Sequence, residues 1–534
     1  MIIEKVIIEN YKSFKDKFEA DLSSDINIIV GDNEAGKSSI LECINLALTG
    51  TVGSKFILNE LNPFYFNQDS VKEYIESLNS NNPNLPLPEI TIELYAKDVD
   101  KDANLKGINN SLGLNCPGIL FKITFNPIFS EEYAQYISDP KLIKNIPIEY
   151  YHIEWYSFKG TPITSRSIPL NVVYVDTSLG EVSFTGTDKY VARIINNFLS
   201  ANERAGIKLN YRTLKEKFEQ NSSIKGINKK LEEYSDRITE RKLTYSIDVS
   251  SKSAWENTLT AYIEEIPFSF IGKGEQSSIK TKLALAEILD NTIILVEEPE
   301  NHLTYSRMSS LIDKINERSK GNQLLITTHS SFVTNKLGLE HLILLSNKKL
   351  IKLDDLKPST YNYFKKLPGH DTLRVILSSK PILVEGPSDE LIVNYAYFKK
   401  YGKTPLENGR DVISVKGLSF KRFLEIANKL DLQITVITDN DGDIAALEKK
   451  YKDFKGSKNI IISYDTDINY PTLEPQIVKI NNLDVLNKLY GKKFKSKEEA
   501  ISWITSSSNK TECALKILES DGKILVPDYI SEVL

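Results

Sequence analysis

Cysteine is scarce in this sequence: Cys43, Cys116 and Cys513 are too few and too scattered for a disulfide framework or a zinc quartet. Excess positive charge is missing too. The 67 basic and 72 acidic residues leave a net charge of −5, which excludes a polycationic nucleic-acid coat but not a local basic groove. No run approaches the ~18 apolar residues that a bilayer-spanning helix needs. The N-terminal MIIEKVIIENYKSF alternates charged and β-branched residues where a signal peptide needs an unbroken apolar core. Internal repeats and long low-complexity tracts are also lacking. What is present is a globular composition, 41% apolar and 26% charged over 534 residues. At roughly 150 residues per domain that suggests about three to four compact units. The expectation is a cytoplasmic, multidomain α/β protein without membrane contact.

The first forty residues read strand, turn, strand, glycine loop, helix. Ile2 to Glu9 is a β-rich run, Ile26 to Val30 a short apolar strand ending on Gly31, and a helix is expected from Lys37 to about Leu48. A proline- and asparagine-rich loop (Ser77 to Ile90) precedes β-type segments at Ile90 to Tyr95 and Ile119 to Thr124. From Asp188 to about Arg241 the sequence is charged with apolar residues at helical spacing, a helical insertion that pairs with a partner helix or stands as a solvated hairpin. Strand and helix then alternate again to Leu345. Leu367 to Lys380 is a connector carrying a short helix, and a further block opens at Pro381.

Residues Gly31 to Ser38, GDNEAGKS, match G-x-x-x-x-G-K-[ST] between a strand and a helix. Backbone N–H groups and the helix N-terminus there favour a phosphate, Lys37 neutralises its β/γ oxygens, and the Ser38 hydroxyl is a Mg²⁺ ligand. Gly31, Asn33, Gly36, Lys37, Ser38 and Ser39 are therefore the ATP-binding candidates. Far downstream, TIILVEEPENHL (Thr292 to Leu303) is an apolar strand ending in two glutamates. Adjacent glutamates can simply cap a strand; in a phosphate-loop enzyme such carboxylates hold Mg²⁺ and polarise the attacking water. Glu297 is assigned to the metal and Glu298 to the water. GKGEQSS (Gly272 to Ser278) opens a helix just before that strand, and LLITTHSSF (Leu324 to Phe332) is another apolar strand ending on His329, placed to sense the γ-phosphate.

This set resembles the ATP-binding-cassette ATPases of the structural-maintenance and RecF relatives, over roughly Met1 to Leu350. The resemblance implies that the GKGEQ signature, with Gly274 and Glu275, completes a partner's ATP site across a head-to-head dimer. Two departures stand out: the wider family prefers aspartate where this chain has Glu297, and its glutamine loop has only Gln68 as a candidate.

After Lys380 comes PILVEGPSDELIV, a strand (Ile382 to Val384) followed by Glu385 and a helix carrying Asp389. Later, ITVITDNDGD is a second strand (Ile434 to Ile437) followed by Asp439, Asp441 and Asp443. Carboxylates concentrated at one sheet edge repel unless cations neutralise them, and hard oxygen ligands select Mg²⁺ or Mn²⁺. Two such ions can stabilise both oxygens of a phosphodiester displacement. DNDGD is also turn chemistry, but the twelve-residue calcium-loop pattern is absent.

EGPSD with DNDGD resembles the Toprim domain of topoisomerases, primases and certain nucleases, without the tyrosine domain of the first or the zinc module of the second. A cassette ATPase followed directly by Toprim is similar to the OLD (overcoming lysogenization defect) family of ATP-dependent nucleases, over essentially the whole chain. The resemblance implies Glu385 as metal ligand or base, Asp389 and Asp439 on one metal, and support from Asp441 and Asp443. It adds Glu474 (in TLEP) as a further acid and Lys510 as the lysine stabilising transition-state charge, a position an ordinary surface lysine would also fit. NKLYGKKFKSK (Asn487 to Lys497) interleaves five lysines with Tyr490 and Phe494, as a strand-binding surface or a solvated loop would.

The expected layout is an ATPase in two parts (1–187 and 246–366) split by a helical dimerisation insertion (188–245). A linker (367–380), a Toprim nuclease domain (381–480) and a C-terminal helical region (481–534) follow. The expected activity is ATP-regulated, metal-dependent DNA cleavage by a homodimer or higher oligomer. In such proteins the role is often anti-phage defence, with a helicase, reverse transcriptase or retron nucleic acid as partner. An ATP-driven sensor with a non-cleaving Toprim and an RNA-cleaving enzyme are the rivals.

Overall fold

The computed structural model describes residues 1–534 except 33, 53–54, 80–84, 98–103, 177–198, 239–242, 248–254, 256–259, 287, 289–290, 347, 353–356, 361, 363–369, 379, 416–419, 507–508 and 521. Two compact units emerge. One comprises Met1–Ile29, Asn33–Thr328 and Asn347–Leu350; the other comprises Val30–Asp32, His329–Ser346 and Ile351–Leu534.

The first unit holds two sheets. β1 (Ile3–Glu9) pairs antiparallel with β2 (Phe18–Asp21) and with β4 (Ile90–Ala96), which continues antiparallel to β5 (Cys116–Phe125) and β6 (Tyr151–Ser157). Alternation explains this sheet: Ile90, Ile92 and Leu94 face inward with Ile119, Phe121 and Ile123, all fully buried. The parallel part of the second sheet runs in the order β7 (Asn171–Asp176), β8 (Thr292–Glu297), β9 (Gln323–Thr327), β3 (Ile26–Gly31). Its strands are continuous apolar runs because both faces are covered. Helix α1 (Lys37–Thr49) follows β3 and buries Ile40, Leu41, Ile44 and Leu48. Within the expected insertion, α2 (Ala201–Glu219) and α3 (Ser222–Ile238) form a helical pair. The start of that insertion, 188–198, lies outside the described residues. Helix α4 (Lys273–Ala286) begins inside the GKGEQ motif, one residue after Gly272.

The second unit is built on a four-stranded parallel sheet in the order β11 (Val412–Ser414), β10 (Ile382–Val384), β12 (Ile434–Ile437), β13 (Ile460–Ser463). Helix α5 (Pro387–Tyr401) follows β10 with proline at its first position, where a missing N–H costs nothing. Helix α6 (Ile444–Tyr451) follows the acidic turn after β12. The C-terminal helices α7 (Leu473–Ile480), α8 (Leu483–Tyr490), α9 (Lys497–Ile504), α10 (Lys510–Leu518) and α11 (Asp528–Ser531) complete the unit. Ala514, Ile517 and Ile530 share one core with Ile382, Val384, Ile392 and Val393. The C-terminal helices α10 and α11 therefore share the core of the strand β10 and helix α5. No helix among the described residues is long and apolar enough to cross a membrane.

Candidate functional site

The parallel pairing of β10 with β12 aligns Ile382 with Thr435 and Leu383 with Val436. Two further steps put Glu385 and Thr438 side by side at the carboxyl edge of the sheet. There Glu385 Oε1 accepts a hydrogen bond from the Thr438 hydroxyl at 2.5 Å and from the Asp439 N–H at 3.3 Å. Asp389, in the first turn of α5, accepts the Gly386 N–H at 2.8 Å. Glu474, in the first turn of α7, is buried; it pairs with Lys510 Nζ at 3.0 Å and accepts the Thr472 hydroxyl at 3.1 Å.

These acids sense one another. Burial first, then the charges of Glu474 and Glu385, push the Asp389 carboxyl up to about 6, against the lowering effects of the Gly386 N–H and Lys510. Burial, followed by Asp389, Glu385, Glu474 and Asp441, pushes Asp439 up to about 8. Three separate stretches of sequence therefore bring Glu385 with Asp389, Asp439 and Glu474 within electrostatic reach of one another. Lys510 opens α10, an end where the helix dipole disfavours a cation; the buried Glu474 compensates.

Among the described residues no three His, Cys, Asp or Glu side chains are already arranged to hold a metal ion. The reason is visible in the partners. Asp389 turns to Gly386, Glu474 to Lys510 and Thr472, and Glu385 Oε1 to Thr438, as mutually repelling carboxylates do when hydrogen-bond donors are the available partners. Asp441 stands exposed in the left-handed region (φ 49°), its N–H on the Pro471 carbonyl at 3.2 Å. Asp443 is the N-cap of α6, accepting the Ala446 N–H at 2.9 Å.

Four residues of this neighbourhood were assigned no role from the sequence, two of them (Thr438 and Asn440) within the quoted ITVITDNDGD string. Thr438 holds Glu385. Asn440, fully buried, donates to the Asp465 and Asp467 carbonyls and accepts the Gly442 N–H, which fixes the acidic turn. Tyr451 and Tyr529 are buried phenols pushed up by burial first and then by the carboxylates, with Glu385 facing both. The acid run itself was the available signal: it contains Asn440 and is preceded by Thr438, while nothing in the sequence marks Tyr451 or Tyr529.

The Asn487 to Lys497 segment differs from its reading as an aromatic surface. Tyr490 and Phe494 are buried in a core cluster with Leu486, Ala500 and Ile504 and pack on Trp503. Asn487 closes the turn, accepting the Phe494 N–H at 2.7 Å. Both rings are buried, Tyr490 at the end of α8 and Phe494 in the turn after it, so base stacking on them is excluded; Lys488, Lys492, Lys493 and Lys495 stay exposed.

In the first unit, register places Asp176, Glu297, Thr327 and Ile29 across the same edge of the parallel sheet. Glu297 thus stands at the edge from which β3 runs into the glycine loop. Its Oε2 accepts the Tyr174 hydroxyl at 2.7 Å. Glu298 is held in the left-handed region (φ 40°), its N–H on the Thr327 carbonyl at 3.0 Å and its Oε2 on the Asn301 amide at 3.0 Å. A non-glycine residue there is strained, a feature that concentrates at functional sites.

Gly31 closes β3, and Gly36 has φ 105°, with Phe14 and Ser13 atoms 2.7 Å from where a Cβ would lie. Only glycine fits. Lys37 and Ser39 are buried and Ser38 half-buried in the first turn of α1. Asn33 lies outside the described residues. Gly274 sits where a Cβ would come within 2.2 Å of the His302 carbonyl, while Glu275 is exposed in the first turn of α4. His329 is exposed after Thr328. Gln68 spends its amide on the Pro63 and Phe66 carbonyls, each at 2.9 Å.

The family profile of the AAA ATPase domain matches residues 1–334, and that of the overcoming lysogenization defect protein-like TOPRIM domain matches residues 376–441. An ATP/GTP phosphatase of Helicobacter pylori is 24% identical over 358 residues, which are 62% of this chain and 85% of that protein. Among solved structures, the SMC head domain from Thermotoga maritima overlays with TM-score 0.30 and 14% identity, covering 66% of this chain and 99% of its own. The recombination mediator protein RecF gives TM-score 0.33 at 12% identity, over 66% of this chain and 98% of its own. Overlays this loose bear no weight here. With an ATPase profile over the larger part of the chain and an OLD-like Toprim profile directly after it, the chain belongs to the OLD family of P-loop ATPases carrying a Toprim domain.

Proposed function

We propose that this protein is an ATP-regulated nuclease that cleaves DNA phosphodiesters with divalent metal ions in its Toprim domain. The observation that carries the reading is the gathering of Glu385, Asp389, Asp439 and Glu474 in one pocket, with two of them raised in pKa by burial and one another. The donor set fits a hard cation: all are carboxylate oxygens, with no histidine or cysteine among them. Glu385, Asp389 and Asp439 would hold the ions, Asp441 and Glu474 would support them, and Asp443, through its capping role, would tie the turn to α6. Bound there, Mg²⁺ or Mn²⁺ supplies charge neutralisation for a phosphodiester in displacement. Lys510 would offer its ammonium to developing phosphate charge.

The ATPase half would bind MgATP through Gly31, Asn33, Gly36, Lys37, Ser38 and Ser39. Glu297 would face the metal and Glu298 the water, with His329 sensing the γ-phosphate. Gly274 and Glu275 would complete a second copy's site. A relative that carries the name ATP/GTP phosphatase supports nucleotide hydrolysis by this half. We place the protein in the cytoplasm and in anti-phage defence, with a helicase, reverse transcriptase or retron nucleic acid as candidate partner.

Purified protein incubated with supercoiled plasmid and Mg²⁺ or Mn²⁺, beside an Asp439→Ala version and a parallel RNA substrate, tests the reading. Nicking by the parent alone supports it; equal nicking by both means a contaminant; cleavage of RNA alone replaces DNA as substrate. The rival, a sensor whose Toprim binds without cutting, draws on the absence of a preformed metal group among the described residues. It predicts plasmid binding with no nicking under either ion.

A pH signature follows from the same cluster. Asp389 and Asp439 hold protons more tightly folded than unfolded, so ionising them costs stability, a cost that grows as pH climbs from the unfolded value through about 8. In EDTA the melting temperature is expected to fall between about pH 5.5 and pH 8.5, and Mg²⁺ to restore more of it at the higher pH, each kcal/mol reading as about 2–4 °C. Scanning fluorimetry at both pH values checks this; an Mg²⁺ shift independent of pH contradicts it.

The helical insertion is assigned to self-association. On α2, Tyr211, Leu214 and Phe218 recur at helical spacing, with Leu214 and Phe218 exposed by 62% and 52%. Replacing both leucine and phenylalanine by glutamate (Leu214→Glu, Phe218→Glu) is expected to reduce the mass seen by light scattering to that of one chain. An unchanged mass would return this helix to the solvated reading.

A further inference from the structure

Glu385 can serve as a metal ligand only if its carboxylate is held in one orientation against three neighbouring acids, because ligand affinity depends on the groups that fix the ligand. Two donors reach it, and both reach the same oxygen: the Thr438 hydroxyl at 2.5 Å and the Asp439 N–H at 3.3 Å converge on Oε1. Thr438 has little freedom to do otherwise. It is 3% exposed, and its own N–H is tied to the Ser463 carbonyl at 3.1 Å. A hydroxyl has one proton to give. The competing acceptor, the Asp439 carbonyl, lies at 3.5 Å, so the charged and nearer oxygen takes it. The buried Tyr451 phenol lies beside Thr438, Glu385 and Asp441, and the Thr438 hydroxyl also reaches it.

We propose that Thr438 is a positioning residue for the cation site: its hydroxyl, with the Asp439 N–H, occupies Glu385 Oε1 and leaves Oε2 as the oxygen that carboxylate offers to metal. The inference rests on the metal-dependent reading of the cluster and adds to it a residue that touches neither metal nor substrate. A β-branched residue suits a strand end, but valine would suit it equally; the hydroxyl is what the geometry uses.

The test is Mn²⁺ binding to the full, nucleotide-free chain, followed by electron paramagnetic resonance of the free ion and needing no turnover. Parent protein is compared with Thr438→Ser, Thr438→Ala and Thr438→Val. The expected result is near-parent affinity for the serine variant and a loss of about 10–100-fold for alanine and valine. Melting curves in EDTA accompany each variant. Should valine fail to fold, serine against alanine decides, because those two differ by one hydroxyl. Equal affinity in all four proteins overturns the positioning role and leaves the cation site standing. A serine variant as weak as alanine overturns it in favour of methyl packing. No Mn²⁺ binding by the parent overturns the metal reading and this inference together.

Discussion

Asp439→Asn is expected to lose about 10³-fold or more in phosphodiester cleavage while melting at a higher temperature than the parent in EDTA. Asparagine keeps the shape of the side chain and leaves the backbone N–H on Glu385 in place. What disappears is a carboxyl whose ionised form the fold penalises: burial and four carboxylates push this group up to about 8. Removing it relieves repulsion on Asp389, Glu385 and Glu474, so stability rises in the absence of metal. The same removal deletes an anionic metal ligand, and several kcal/mol of charge stabilisation correspond to about three or more powers of ten in rate. Opposite signs for stability and cleavage mark a site built for a cation rather than for packing. Plasmid cleavage rates and EDTA melts on one preparation read both; a variant that is less stable and fully active would contradict the assignment.

Lys37→Ala is the second large effect, with ATP turnover expected to fall by on the order of 10²–10³-fold. Lys37 is 5% exposed at the first position of α1, directly after a glycine whose φ of 105° no other residue adopts comfortably. At that position its ammonium lies beside the backbone N–H groups of the helix N-terminus, where a phosphate is favoured. Phosphate release from ATP, with nucleotide binding followed separately, checks this. Undiminished hydrolysis would remove the glycine loop from the site.

The elements that position both sites were legible because their sequence signals are local. Ile382–Val384 and Ile434–Ile437 are short β-rich runs with acids close behind them, and the structure begins and ends these strands at the same residues. The phosphate-loop strand and helix fall within a residue of expectation. Legibility fails where partners decide. Nothing in DNDGD tells that Asp443 caps a helix while Asp439 turns inward, because both are aspartates after one strand. Tyr490 and Phe494 sit in a lysine-rich string that reads as surface, yet the end of α8 and the turn after it bring both rings against Trp503. Thr438 is an unremarkable residue in the sequence, and its use depends on β10 and β12 being neighbours in register. The strain at Glu298 is likewise a property of backbone geometry that no residue type announces.

The central claim is that the tips of β10 and β12 form one cation pocket. Anomalous diffraction from crystals soaked in Mn²⁺ tests it most directly. The account predicts peaks with oxygens of Glu385, Asp389 and Asp439 at about 2.1 Å, the range for a small hard dication. Fully soaked crystals with Mn²⁺ bound beside Ser38 and no peak among those carboxylates would contradict it.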